Sequence, residues 1–283
     1  MKATMFELSK TFGSVLCSCL FVIIGASQTV FAENYTVIDV TNGGTIKGVA
    51  TWKGRIPSLP PIDLNADPDF CGEAAASQAL QVDPKTKGIR FVLVYLQKVE
   101  KGKAPAEKYW LHFGKDTRNK VADTEICQFK EHVLPFVRSQ EVAMINFDPI
   151  LHNPHFFTRR HISVFNIAMP TQNREIDHTL ERDKGVGLPF QCDVHVSMNG
   201  YTAGFDHPYF AVTDAEGNFE ITDVPPGQYT LVAWHEGYKV VRMDVGRPIY
   251  DAPHIIERDI EVKPNGTVEE RFEFPSRESI TED

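Results

Sequence analysis

The chain contains the stretch Gln191-Cys192-Asp193-Val194-His195-Val196-Ser197-Met198. It places a thiol, an imidazole and a thioether within seven residues. A second histidine, His152, is followed by Asn153 and lies forty positions before Cys192. A fold that brings these side chains together must place His152 next to the loop that contains Cys192.

This set of side chains matches the ligands of one kind of metal site. A cysteine sulfur, two histidine nitrogens and a weakly held methionine sulfur form the trigonal copper site that electron-transfer proteins use. The sequence therefore predicts one type 1 copper ion held by His152, Cys192, His195 and Met198.

Other chemistry fits these residues less well. A binuclear copper centre needs two bridging cysteines, and the stretch has only Cys192. Zinc accepts His152, Cys192 and His195, but structural zinc sites take a fourth cysteine or histidine rather than a methionine. A cysteine nucleophile activated by His195 gives Met198 no role. Isolated residues of these types are usually core residues, whereas the agreement of four positions favours the metal site.

The first 32 residues have the pattern of a cleaved secretory signal. Lys2 and Lys10 precede an apolar run that extends from Val15 to Gly25, and cleavage is expected near Ala32. The mature protein is then periplasmic or secreted. No later apolar run approaches the roughly 20 residues of a spanning helix, which argues against an integral membrane protein. A lipoprotein site at Cys19 would cut inside the apolar run and is disfavoured.

Three cysteines remain after removal of the signal: Cys71, Cys127 and Cys192. Disulfides are permitted in an exported protein, and an odd number needs an explanation. A disulfide between Cys71 and Cys127, with Cys192 kept as a metal thiolate, accounts for all three. A different pairing with one buried free thiol stays open.

The net charge limits the partners of the chain. The formal charge is -9 at pH 7, which makes nucleic acid an improbable partner. An acidic surface suits a basic redox partner, although it also keeps an exported protein soluble.

Short runs of Val, Ile, Phe and Thr between Gly, Pro, Asn and Asp predict an all-β chain. We expect strands over residues 45–52, 89–96, 141–147 and 165–169, a short helix over 72–79, an insertion over 98–123 and a loop over 172–187. Nearer the C-terminus we expect consecutive antiparallel strands at 208–213, 218–222 and 229–234, then a hairpin of 257–262 with 268–274.

The region from Phe129 through Asn146 and Asp148 to Cys192-x-x-His195-x-x-Met198 resembles the cupredoxin family, and its loop spacing is similar to that of amicyanin-like blue copper proteins. The resemblance covers roughly residues 88–200. It implies a Greek-key β-sandwich that holds the four ligands, with Asn153 helping to lock the loop.

The same resemblance implies that His195 is an exposed electron exit, with Val194 and Val196 in the docking surface. The sequence departs from the family pattern there, because these two valines stand where prolines usually flank the histidine. Pro154 also replaces a residue that is usually β-branched. These departures affect the reduction potential and the docking surface more than metal binding.

A second part of the chain resembles the carboxypeptidase regulatory-like domain, a smaller transthyretin-like β-sandwich. The resemblance rests on Gly44-Thr45-Ile46-x-Gly48-Val49 and on the run from Thr213 to Leu231 that contains Val224-Pro225-Pro226-Gly227. These motifs lie on both sides of the copper region, so the sandwich can be discontinuous. We expect a signal over 1–32, a first part of the sandwich over 33–87, the copper domain over 88–206, the rest of the sandwich over 207–275 and a flexible tail over 276–283.

The expected function is transfer of single electrons between redox partners such as a cytochrome or a dehydrogenase. No catalytic turnover is expected, because ligation by Met198 closes the site to substrate. The alternatives are an extracytoplasmic module that binds carbohydrate, peptide or protein, and copper storage or delivery, although the chain lacks the Met and His clusters typical of the latter.

The remaining histidines have less specific interpretations. Trp234-His235-Glu236 is expected to pack the second sandwich, although a His-Glu pair beside an aromatic ring can also form a contact site. The other histidines are expected outside the site: His155 away from the ligands, and His132, His161, His178 and His207 on the surface or in turns.

Overall fold

The computed structural model describes residues 35–115, 126–180 and 184–275. The predicted signal segment and the C-terminal tail lie outside these residues. Within the described part of the chain, none of the helices has the length and apolar composition of a membrane-spanning segment.

The described residues form one short helix, α1 (Pro68–Cys71), and a series of strands. The strands are β1 (Thr36–Val37), β2 (Gly44–Trp52), β3 (Ile62–Asp63), β4 (Ala74–Ala75), β5 (Gln81–Val82), β6 (Ile89–Arg90), β7 (Leu93–Leu96), β8 (Lys101–Gly102), β9 (Lys108–Phe113), β10 (Val133–Val137), β11 (Glu141–Asn146), β12 (Pro154–Phe157), β13 (Ser163–Asn166), β14 (Glu175–Thr179), β15 (Gly185–Cys192), β16 (Asn199–Phe205), β17 (Phe210–Val212), β18 (Asn218–Val224), β19 (Gly227–His235), β20 (Val240–Asp244), β21 (Arg247–Tyr250), β22 (His254–Val262) and β23 (Thr267–Phe274). The prediction of an all-β chain built from β-sandwiches is confirmed.

One sandwich contains the predicted metal ligands. A five-stranded sheet of order β10-β16-β15-β12-β13 shares a hydrophobic core with a three-stranded sheet of order β14-β11-β9. Because successive strand residues point to opposite faces, Leu188, Phe190 and Cys192 of β15 all face inward. The same alternation therefore directs the thiol of Cys192 into this core.

The second sandwich joins a four-stranded sheet of order β17-β7-β19-β22 to a three-stranded sheet of order β18-β2-β23. Its core includes Ile46, Leu231 and Phe272 from both sheets. A smaller cluster that includes Leu93, Phe205 and Trp234 joins the four-stranded sheet to the five-stranded sheet of the first sandwich. We call this cluster the seam.

Several local predictions are wrong, chiefly because the chain alternates between sheets. The predicted hairpin of β22 with β23 does not form: β22 pairs with β19, and β23 pairs in parallel with β2. Likewise β17, β18 and β19 pair with β7, β2 and β22 rather than with one another. Turn residues mark where strands end, but they do not fix which sheet the next strand joins.

Other differences have local causes. The helix lies at Pro68–Cys71 rather than over 72–79, because Gly72 leaves the helical conformation with φ 86°. The predicted strand over 89–96 is divided at Phe91, which has φ 69°. The predicted insertion contains β9, and the predicted loop over 172–187 contains β14.

One strand of the second sandwich lies beyond a predicted domain limit. Strand β7 (Leu93–Leu96) lies beyond the limit at residue 88, yet it pairs with β17 and β19 of the second sandwich. All the described residues belong to one compact unit, so the domain limits stay predictions.

Candidate metal centre

The ligand loop connects two neighbouring antiparallel strands. Cys192 is the last residue of β15, and Met198 immediately precedes β16. The backbone N–H of Cys192 donates to the carbonyl of Met198 at 2.9 Å, and the N–H of Met198 donates to the carbonyl of His195 at 3.2 Å. These hydrogen bonds close the loop, so that its ends meet at one edge of the sandwich.

His152 reaches the loop from the adjacent strand. It lies two residues before Pro154, the first residue of β12, which is paired with Cys192 of β15. The N–H of Asn153 donates to the Cys192 sulfur at 3.3 Å, and its carbonyl accepts from the N–H of Asp193 at 3.0 Å. The backbone of Asn153 therefore locks the loop, whereas its buried side-chain Oδ1 has no partner among the described residues.

Three possible metal donors converge in the core. His152 Nδ1 lies 3.9 Å from Cys192 Sγ and 3.1 Å from His195 Nδ1, which is itself 3.7 Å from the sulfur. All three side chains are fully buried. Met198 is also fully buried and belongs to the same core cluster as Cys192. The structure thus places all four predicted ligand residues in one buried region.

Two carboxylates fix the orientation of both imidazoles. His152 Nε2 lies 3.0 Å from Asp148 Oδ2, and His195 Nε2 lies 3.0 Å from Asp67 Oδ2. A carboxylate oxygen accepts hydrogen bonds, so each Nε2 carries the proton in the neutral imidazole. Each Nδ1 then presents a lone pair, and the two lone pairs face each other beside the sulfur. Such an arrangement of acceptors needs a cation or a proton between them.

The surroundings of Cys192 favour the thiolate. Burial raises the pKa of the Cys192 thiol, but the contacts with the imidazoles of His152 and His195 and the hydrogen bond from the Asn153 N–H outweigh burial and lower the pKa to about 6. For His152, burial lowers the imidazole pKa, whereas Asp148 and Cys192 raise it by a larger amount. Since the thiolate is the form that binds metals, this electrostatic environment fits a metal ligand.

A short segment that ends with α1 covers the ligand loop, and we call residues 65–71 the strap. The Asn65 side chain donates to the Val194 carbonyl at 3.0 Å and accepts from the Val196 N–H at 3.0 Å. Asp67, whose carboxylate holds His195, has a left-handed φ of 49°. The strap ends at Cys71, which forms a disulfide with Cys127, while Cys192 is the free cysteine of the described residues.

Arg247 holds the loop from the opposite side. This residue opens β21, and its guanidinium donates to the carbonyls of Val196, Met198 and Cys192 at 2.8, 3.0 and 2.9 Å. One planar group therefore satisfies three loop carbonyls with the fork geometry that lysine cannot reproduce.

The covered loop corrects one expectation. His195 was expected to be exposed as an electron exit, but it is fully buried and its Nε2 is occupied by Asp67. Val194 and Val196 are half-buried under Asn65 and Arg247 rather than forming an open surface. His155 lies away from the ligand cluster and contacts Asp193, as expected.

Sequence reasoning did not identify Asn65, Asp67 or Arg247 as part of the site. Asn65 and Asp67 lie more than fifty residues before the loop. Arg247 lies on a strand whose pairing the sequence does not reveal. The disulfide of the strap at Cys71 was predicted from the sequence, whereas the left-handed backbone of Asp67 and its contact with His195 depend on the fold.

Comparison with known proteins gives matches to only part of the chain. A family model described as polysaccharide lyase family 4, domain II, matches residues 191–269. This match covers well under half of the chain and begins in the ligand loop. It is not the carboxypeptidase regulatory-like family suggested by the sequence. No curated protein sequence matches the chain.

Two solved structures are similar to part of the chain. A purple cupredoxin from Nitrosopumilus maritimus is 15% identical, with a TM-score of 0.27, and covers 34% of this chain and 99% of its own. A reduced proline-to-phenylalanine variant of amicyanin is 13% identical, with a TM-score of 0.27, and covers 40% of this chain and 98% of its own.

Proposed function

We propose that the chain is an exported copper protein that carries single electrons between redox partners. His152, Cys192, His195 and Met198 would hold one type 1 copper ion. The observation that carries the proposal is the meeting of two Nδ1 lone pairs and a low-pKa thiol in a fully buried site. Sulfur and imidazole donors in this combination suit copper better than hard cations.

The residues around the site supply rigidity. Asp148 and Asp67 fix the imidazole rings, the Asn153 N–H holds the Cys192 sulfur, and Arg247 binds the Cys192 carbonyl. Bound copper supplies one-electron chemistry by cycling between Cu(I) and Cu(II). Rigid ligands keep the structural change between these states small, which favours rapid electron transfer. A fully buried donor set also leaves no position for a substrate, so we propose no enzymatic turnover.

The electron path we propose leaves through the strap rather than through an exposed histidine. Asp67 Oδ2 accepts from His195 Nε2, and the Asp67 side chain is 41% exposed. A partner that docks on the strap would therefore be one hydrogen bond from a ligand imidazole. The acidic net charge of the chain favours a basic partner, such as a cytochrome, in the compartment outside the cytoplasm.

Titration of the metal-free protein with Cu(II) tests the proposal. We expect binding of one ion per chain, with an intense visible absorption from thiolate-to-copper charge transfer and the narrow copper hyperfine splitting of a type 1 site by EPR. Cys192→Ser should lose the visible band, because an alcohol does not provide this charge transfer. A wild-type protein that binds no stoichiometric copper, or binds it without a thiolate band, would contradict the proposal.

Asp67 gives a second prediction. Asp67→Gly should weaken copper binding by about 10- to 100-fold, the usual effect of removing a residue that orients a metal-bound histidine. Glycine tolerates the left-handed backbone at this position, so backbone strain does not add to the effect. Competition with a chelator of known copper affinity measures the change.

Two variants separate orientation from charge. Asp67→Asn keeps an oxygen acceptor for His195 Nε2 and should retain most of the affinity. Asp69→Asn removes the same charge two residues away, at an exposed position, and should leave the affinity unchanged. Equal losses in Asp67→Gly and Asp69→Asn would show that Asp67 acts only through its charge.

A further inference from the structure

A cavity lies at the seam, away from the metal ligands. Its volume is about 360 Å³, and its lining includes Tyr95, Arg159, Gly187, Tyr201, Trp234 and Glu236 from both sandwiches. Arg159 is exposed, whereas Trp234 and Glu236 are only 4% and 3% exposed, so the inner wall of the cavity is formed by the last two. Contacts between two structural layers are common positions for small-molecule sites.

The inner wall offers a buried acceptor that lacks a donor. Glu236 Oε1 contacts His132 Nε2, and His132 Nδ1 lies 2.9 Å from the carbonyl of Asn199. A carbonyl only accepts, so Nδ1 carries a proton and one further proton is shared between Nε2 and Oε1. Glu236 Oε2 keeps its lone pairs wherever that shared proton lies. It has no partner among the described residues, so a ligand would have to bring a donor.

His132 was expected on the surface, but it is fully buried. Its role is structural as well as electrostatic, since it anchors Glu236 from the first sandwich to the second. The pair therefore fixes the position of Oε2 relative to both sheets.

The side walls are aromatic and carry unused donors. The rings of Tyr201 and Trp234 have centroids 5.4 Å apart at an interplanar angle of 66°, so two ring faces form a corner. Within the described part of the chain, the Trp234 Nε1–H and the Tyr201 and Tyr95 hydroxyls have no hydrogen-bond partner. At Gly187, a Cβ would lie 3.1 Å from Trp234 Cζ2, so the missing side chain leaves space beside the indole.

The formal charge of the lining is balanced. The His132–Glu236 pair is neutral overall, because it shares one proton between two groups. Asp251 also lines the cavity, and its carboxylate is offset by the guanidinium of Arg159. A cavity without excess negative charge gives an organic cation little advantage over a neutral ligand.

We propose that this cavity binds a neutral sugar residue. A pyranose ring combines C–H faces that pack on aromatic rings with hydroxyls that both donate and accept hydrogen bonds. One hydroxyl would donate to Glu236 Oε2, and others would accept from the indole N–H of Trp234 and the hydroxyl of Tyr201. This site is independent of copper and gives the exported protein a means of attachment to a glycan.

Binding can be tested with the full chain in metal-free form. The probes are D-glucose, D-galactose, D-mannose and N-acetyl-D-glucosamine with their short β-linked oligomers, measured by saturation-transfer NMR and isothermal titration calorimetry. We expect at least one probe to bind. Tyr201→Phe keeps the ring and should weaken binding about threefold to tenfold by removing one hydrogen bond. Glu236→Gln should weaken it by about tenfold or more.

A second tryptophan serves as a control for nonspecific stacking of a sugar on an exposed aromatic ring. Trp234→Phe should weaken binding, whereas Trp110→Phe, at a tryptophan that is 39% exposed on β9, should not. Thermal unfolding of each variant identifies losses that arise from misfolding, and Tyr201→Phe is conservative enough to remain folded.

Three outcomes would overturn the sugar assignment. The first is binding of none of the probes. The second is binding that depends on Trp110 but not on Tyr201 or Glu236. The third is preferential binding of ethylammonium or tetramethylammonium with the same dependence on Tyr201 and Glu236, which would assign the cavity to an organic cation. None of these outcomes depends on whether the protein binds copper.

Discussion

Replacing both Cys71 and Cys127 by alanine is expected to lower the free energy of unfolding by about 4 kcal/mol. The disulfide joins residues separated by 56 positions, so it removes a large amount of conformational freedom from the unfolded chain. Both cysteines are buried, and the cross-link connects the strap to the sandwich that carries the ligand loop. Urea unfolding followed by circular dichroism measures the difference.

Reductant provides the matched control for this prediction. The wild-type protein treated with a phosphine reductant should lose a similar amount of stability, whereas the double variant should not respond. If the double variant unfolds at the wild-type urea concentration, the disulfide does not stabilise the fold in this way. Because Asp67 lies on the strap, the double variant should also bind copper more weakly than the wild type.

The strand pattern was sufficient to predict the fold class but not the strand pairing. Alternating residues in β15 and β22 reveal which side chains face inward, since this periodicity depends on local geometry. The partner of a strand depends on contacts distant in the sequence. The expected hairpin of β22 with β23 illustrates the limit: Lys263-Pro264-Asn265-Gly266 marks a turn, but that turn carries the chain from one sheet to the other.

The same distinction applies to the candidate site. Three of its possible ligands are recognisable because their chemistry and spacing are contained in one loop of seven residues. His152 was found because a histidine beside an asparagine resembles a known pattern. Asp67 and Arg247 have ordinary neighbours in the sequence and acquire their roles only where the strap and β21 meet the loop.

Arg247 shows how the hairpin of β20 and β21 supports the ligand loop. Its guanidinium donates to three carbonyls of the loop, and the partial burial of this group lowers its pKa. Strand β20 of the hairpin that carries Arg247 is exposed, with Val241 and Met243 60% and 57% exposed, whereas β21 is partly buried. The hydrogen bonds of Arg247 to three loop carbonyls are the basis for its expected effect on stability.

Arg247→Ala is accordingly expected to destabilise the protein by about 3 kcal/mol, taking roughly 1 kcal/mol for each lost hydrogen bond. Arg247→Lys retains the charge but not the planar fork, so it should lose about 2 kcal/mol. Arg242→Ala, at an exposed arginine of the same hairpin, should change stability by less than about 0.5 kcal/mol. Urea unfolding ranks the three variants, and equal stability of Arg247→Ala and Arg242→Ala would contradict the assigned role. Since the Cys192 carbonyl is one of the three acceptors, Arg247→Ala should also broaden the copper EPR signal, which a purely peripheral hairpin contact would leave unchanged.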